Sequence, residues 1–179
     1  MTSPAGGRED ALFTPRFFAL FTFTFTVFMS AFQLFPTAPY RILGIGGSTA
    51  MAGLFLGGLT YASALAAPIT GSLVDRIGQR RMLIITSLII AGFSTLYAVT
   101  TSPALMIAIV VVHGTVWSGL LTASGAYMAA ILPASRRAEG LGYWGFASIT
   151  AIGVAPSIGF AVYHLGWVAL CAEIGRAHV

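Results

Sequence analysis

The side chains of this 179-residue chain that could bind a solute or move a proton fall in three places. Thr22, Thr26, Ser30 and Gln33 recur at i, i+4, i+8 and i+11, which on a helix is a single polar stripe. His113, Trp117, Ser124 and Tyr127 follow at near-helical spacing on one side of a later segment, and His113 is an ionisable group deep in an apolar run. The third place is the short charged stretch from Asp75 to Arg81, with Asp75, Arg76, Arg80 and Arg81 between two apolar segments. A hydroxyl and amide stripe suits hydrogen bonding to a polar solute, and Gln33 is the best of them because its amide both donates and accepts. A histidine can exchange a proton near neutral pH. Each has a plainer reading beside it: hydrogen bonds between helices for the stripe, a neutral cross-helix bond for His113, and arginines that merely hold topology at the headgroups for the charged stretch. Tyr61, Tyr143 and Trp144 are aromatic lining candidates for which packing is the alternative.

The elements that must hold these groups follow from composition. Apolar residues make up 57% of the chain and charged ones 8%, against roughly 25% charged in soluble domains. Residues 17–40, 42–74, 82–135 and 140–172 contain no Asp, Glu, Lys or Arg, giving runs of 24, 33, 54 and 33 residues. A membrane-spanning helix needs about 20 apolar residues, so the runs hold five spans, two of them in the longest run. We expect helices at about 16–36, 48–74, 82–99, 104–132 and 140–164, with the start of a sixth at 166–172 and a cytoplasmic tail at 1–15. Pro36 and Pro39 are expected to close the first helix. Alternating sides put Arg8, Arg16, Arg76, Arg80, Arg81, Arg136 and Arg137 on one face and Arg41 on the other. The positive-inside bias then places the N-terminus in the cytoplasm. The single Cys171 leaves no disulfide framework. The pI near 9.7 comes from arginines in short loops and not from a basic face, so no nucleic acid is expected as partner.

The loop sequence Gly71-Ser-Leu-Val-Asp-Arg-Ile-Gly-Gln-Arg-Arg-Met-Leu83 resembles the signature loop of the major facilitator superfamily (MFS), G-x-L-a-D-r-x-G-r-[K/R]-x-x-L. Gly71, Leu73, Asp75, Arg76, Gly78, Arg80 and Leu83 match, while Gln79 stands where a basic residue is usual. Gly71 is suited to close helix approach and Gly78 to a tight reversal. The resemblance implies that Asp75, with Arg76, Arg80 and Arg81, forms a gating latch between two halves of a transporter. The stretch from Pro133 to Gly142 resembles the family's approach to its fifth helix. Gly142, Ala151, Ala155, Pro156 and Gly159 then follow at the spacing of the glycine-proline pattern of exporters, with alanine for two glycines and Phe160 for the last. Helix four has Val110 where the family often carries arginine, and Ala130 where it often carries an acid.

The fold class expected is thus an all-α polytopic membrane protein: the N-terminal six-helix half of the MFS fold, with five complete spans and the start of a sixth. The resemblance, closest in kind to bacterial sugar and drug-efflux permeases, implies secondary transport of a small solute by alternating access. Efflux is the expected direction, in the inner (plasma) membrane, with protons a candidate coupling ion. It also implies a cavity lined by helices one, two, four and five, for which Thr26, Ser30, Gln33, Tyr61, His113 and Trp117 are the candidates. Neither a P-loop nor a metal-ligand cluster occurs in the sequence, and no cofactor is expected. A solute receptor without transport is the nearest alternative. An intramembrane hydrolase is a distant one, because His113 and Ser124 lie ~16 Å apart on a straight helix. Finally, Glu173–Val179 resembles the translation of a sequencing adapter. The expectation is a non-native tail at 173–179 on a chain that lacks a C-terminal six-helix half.

Overall fold

The computed structural model describes residues 11–178; Arg8 and the rest of 1–10, like Val179, lie outside them. The described chain is helical: α1 (Pro15–Gly44), α2 (Thr49–Ile77), α3 (Gln79–Val99), α4 (Pro103–Ile131), a 3-10 turn at Ala134–Arg136, α5 (Arg137–Tyr163) and α6 (Trp167–Arg176). Five helical stretches are long and apolar enough to cross a membrane; with its 10 residues, α6 is not among them.

Helix starts follow local rules. Thr14, Ser48 and Ser102 cap α1, α2 and α4, each side-chain oxygen accepting from a backbone N–H three residues on. Pro15 and Pro103 take the first helical position, where a missing N–H costs nothing.

The end of α1 differs from expectation. The helix does not stop at Pro36 but runs through Pro36 and Pro39 to Gly44. Within a bilayer a helix that stopped there would leave its last carbonyls without water to bond. Local compensation is visible at Thr37, whose hydroxyl donates to the carbonyls of Gln33 (2.7 Å) and Leu34 (3.1 Å). Burial holds the segment too, since Leu34, Thr37, Ala38 and Ile42 are all enclosed. The actual stop is the glycine turn. Gly46 takes a φ of 87° and donates to the Leu43 carbonyl, and Gly47 donates to that of Ile42 (2.8 Å). This is a Schellman closure.

The other boundaries shift less. Helix two was expected to end at 74 and ends at Ile77, and helix three begins at Gln79 and not at 82. Helix five begins at Arg137, ahead of the expected 140, and the sixth helix continues past 172 to Arg176. The residues expected to be a foreign tail therefore extend α6, with Ile174 and His178 buried.

Small side chains let the helices approach, as packing in lipid requires. Along α5, Ala147, Ala151 and Ala155 are fully buried, and Gly159 continues the same face against α1. A Cβ at Gly159 would sit 2.8 Å from Gln33 Cα. Trp144 Nε1 donates to Thr24 Oγ1 (2.9 Å) across the same pair. Between α2 and α4, Gly114 lies against the Leu59 backbone, and Thr70 and Ser118 share a hydrogen bond of 3.1 Å. On the far side α3 packs between α4 and α6, and Trp167 Nε1 donates to the Tyr97 carbonyl (2.8 Å). Large apolar side chains such as Leu65, Ile69, Phe146 and Ile149 point outwards from α2 and α5.

Candidate functional site

The signature stretch is not a loop but two helix ends meeting at one residue. Gly71, Leu73, Asp75 and Arg76 are the last turns of α2; Arg80 and Arg81 are the first turn of α3. Gly78 alone joins them, with φ 90° and ψ 143°, its N–H bonded to the Val74 carbonyl (2.9 Å) and its carbonyl accepting from Met82 (3.0 Å). At φ 90° and ψ 143°, close to a region that is essentially glycine's alone, a side chain costs roughly 1–3 kcal/mol. We expect Gly78→Ala to destabilise the chain by about that amount, read as a lower thermal midpoint in detergent, while Gly53→Ala, where an added Cβ meets nothing, leaves it unchanged or raises it.

Asp75, Arg76, Arg80 and Arg81 are exposed, and none makes an ion pair among the described residues. Arg80 and Arg81 stand at a helix N-terminus, where the dipole disfavours cations, and no side chain caps that end. Among the described residues Gly71 has no neighbour within 4 Å of an added Cβ, so none of the described helices presses on it. The same holds at Gly142. By contrast Arg136 and Glu139 form a two-pronged pair (2.9 and 2.8 Å) at the start of α5. Glu139 is fully open to water, so solvent screens the pair and it contributes little to stability.

The cavity candidates do not meet at one place. Ser30 is fully buried, its hydroxyl bonded to the Val27 carbonyl (2.8 Å) and to His178 Nε2 (2.7 Å). Gln33 is buried beside α5 and α6; its Nε2 donates to Glu173 Oε1 (3.4 Å), and its Oε1 has no partner among the described residues. Thr26 donates to the Thr22 carbonyl (2.9 Å) and lines a separate groove between α1, α3 and α4, closed at one end by Ala177 and His178. Tyr61 stands 73% exposed on the outer side of α2.

His113 is buried between α4 and α3, with Nδ1 3.4 Å from the Tyr97 hydroxyl and Phe93 tilted across the ring at 5.2 Å. Its Nε2 has no partner among the described residues. Ser30, Ser94, Tyr97, His113 and Cys171 all line one cavity of about 10 Å³, the space of roughly a single water. Of the α1 stripe, Ser30 alone shares this cavity with His113, inside the bundle and not on an open face.

Trp117 faces α1, with its ring 5.5 Å from Phe28 and 6.4 Å from Phe35. Phe28, Phe32 and Phe35 form a continuous aromatic cluster with it. Their spacing of i, i+4 and i+7 places Phe28, Phe32 and Phe35 on one face of α1. Tyr97 was missed, since nothing local marks a tyrosine sixteen residues before His113 as its partner.

Five membrane-length apolar helices packed through small residues, with a one-residue charged joint between the second and third, make this a multi-pass helical membrane protein. Residues 17–172 match the Major Facilitator Superfamily. The chain belongs to that family, whose members carry small solutes across membranes and are not enzymes. No curated protein matches it.

Proposed function

We propose that the chain is the N-terminal portion of an exporter that moves a small solute by alternating access, with its N-terminus cytoplasmic and the α2–α3 joint serving as a latch. The observation that carries the reading is the joint itself. A carboxylate and three guanidiniums are displayed on two rigid helix ends, exposed and without ion-pair partners among the described residues. Charges arranged this way favour an interface with another helical unit, where an anion such as Asp75 can accept hydrogen bonds from a helix N-terminus. In such transporters two halves rock about a site near the midplane. Exposed apolar faces on α2 and α5 suit contact with a second half.

On this reading the cavity side of α1 and α4 is the aromatic cluster around Trp117, while Ser30, Gln33 and His113 hold the bundle together. Protons remain the proposed coupling ion and the inner membrane the proposed location. Resequencing the source gene across codon 172 tests the first element: the frame is expected to continue into the rest of a sixth span and a second helical half. The complete product, reconstituted in liposomes, is then expected to move a solute down an imposed gradient. A product that binds solutes without flux would establish the receptor reading instead.

A further inference from the structure

The cavity of about 10 Å³ that His113 lines lies where α1, α3, α4 and α6 meet. Every residue that lines it is buried, none more than 8% exposed. Ser30, Ser94, Tyr97 and His113 supply its polar wall, and all four lie within the residues that match the family. Ile174 and His178 complete the wall from the far end of α6.

The hydrogens of this wall can be followed one by one. Ser30 Oγ donates to the Val27 carbonyl (2.8 Å), and Ser94 Oγ donates to the Ile90 carbonyl (3.4 Å). A hydroxyl that has spent its hydrogen still accepts through two lone pairs. Ser30 keeps one of them after its contact with His178 Nε2 (2.7 Å), and Ser94 keeps both. The Tyr97 hydroxyl has His113 Nδ1 as its partner among the described residues, at 3.4 Å, and a buried phenol hydrogen needs an acceptor. Nδ1 therefore accepts, and the proton of the neutral ring sits on Nε2. His113 is 3% exposed, and this Nε2 has no partner among the described residues. An unpaired buried donor is costly, whereas a bridging water binds nearly as well as a direct hydrogen bond.

We propose that the cavity holds one water molecule, which accepts from His113 Nε2–H and donates to Ser30 and Ser94, joining α4, α1 and α3 at one point. A water needs roughly 10–15 Å³ and two to four polar partners, and the cavity offers both. A larger solute does not fit, and a metal cation would meet the Nε2 proton.

Solid-state NMR of the 179-residue chain in bilayers, with isotope-labelled histidine, tests this. The histidines are His113, His164 and His178, so a His164→Gln/His178→Gln chain reports His113 alone and also replaces the wall residue at the end of α6. The expected spectrum shows an unprotonated Nδ1, a protonated Nε2 and magnetisation passing from water to Nε2. Ser94→Val removes one acceptor and adds a carbon to the wall, and the transfer from water is expected to be lost. Tyr97→Phe removes the donor to Nδ1, and the two ring tautomers are expected to mix. A proton on Nδ1 before any change at Tyr97, or no transfer from water to Nε2, overturns the proposal, and neither reading depends on how the Ser94 variant folds. Transfer that persists in Ser94→Val overturns it as well, because the water then lies outside this cavity.

Discussion

Asp75→Asn in the complete transporter is expected to reduce solute flux about tenfold or more while leaving the amount of inserted protein unchanged. Asp75 is exposed at the end of α2 and bonds to nothing in this chain among the described residues, so its loss removes no internal contact. The substitution also deletes a negative charge beside Arg76, Arg80 and Arg81, which strengthens the positive-inside bias and does not weaken it. What it removes is an anion available to a helix N-terminus across an interface. Such a contact contributes up to about 2 kcal/mol when partly buried, and 1.4 kcal/mol is a factor of ten. Flux into proteoliposomes, normalised to inserted protein, reads the effect. Unchanged flux would remove Asp75 from any latch and leave the arginines as topology markers alone.

Gly114→Ala is expected to be among the most destabilising single-methyl changes in the bundle. A Cβ there would lie 2.5 Å from the Leu59 carbonyl oxygen, 3.1 Å from its carbon and 3.0 Å from Ala62 Cβ. Two of these are backbone atoms of α2, which no rotamer change can move. The helices must separate, and overpacking of this kind costs roughly 1–3 kcal/mol. Gly125→Ala on the same helix is the control, because an added Cβ meets nothing within 4 Å and alanine favours helix. Thermal unfolding in detergent should show Gly114→Ala well below, and Gly125→Ala at or above, the unaltered chain. Coincident midpoints for the two variants would mean that α2 and α4 are not in close backbone contact.

Much of the fold was legible before any coordinates because hydropathy is a local property. A run of charge-free residues long enough to cross the hydrocarbon forms a helix whatever its neighbours are, since its backbone groups have no other partner there. The caps at Ser48 and Ser102, the glycine closure after α1 and the reversal at Gly78 are local for the same reason. The spacing from Gly71 to Leu83 was likewise enough to identify the family that residues 17–172 match.

What each helical face meets was not legible. Periodicity put Thr26, Ser30 and Gln33 on one stripe, but a stripe does not say whether it faces a solute, a lipid or another helix. Tertiary structure decided that: Ser30 and Gln33 turn towards α6, Thr26 lines the groove between α1, α3 and α4, and His113 meets Tyr97 of α3. Pro36 and Pro39 show the same division. Their sequence preference is to stop a helix, a local cost of about 3 kcal/mol each, yet α1 continues. The burial of Leu34, Ala38 and Ile42 against neighbouring helices outweighs it, and that balance depends on residues far away in the chain. Sequence alone determined how many membrane-length helices there are and where their charged joint lies, because both follow from short-range chemistry. Only the packed bundle decided which polar groups are enclosed and which remain available, because that depends on the simultaneous positions of four or more helices.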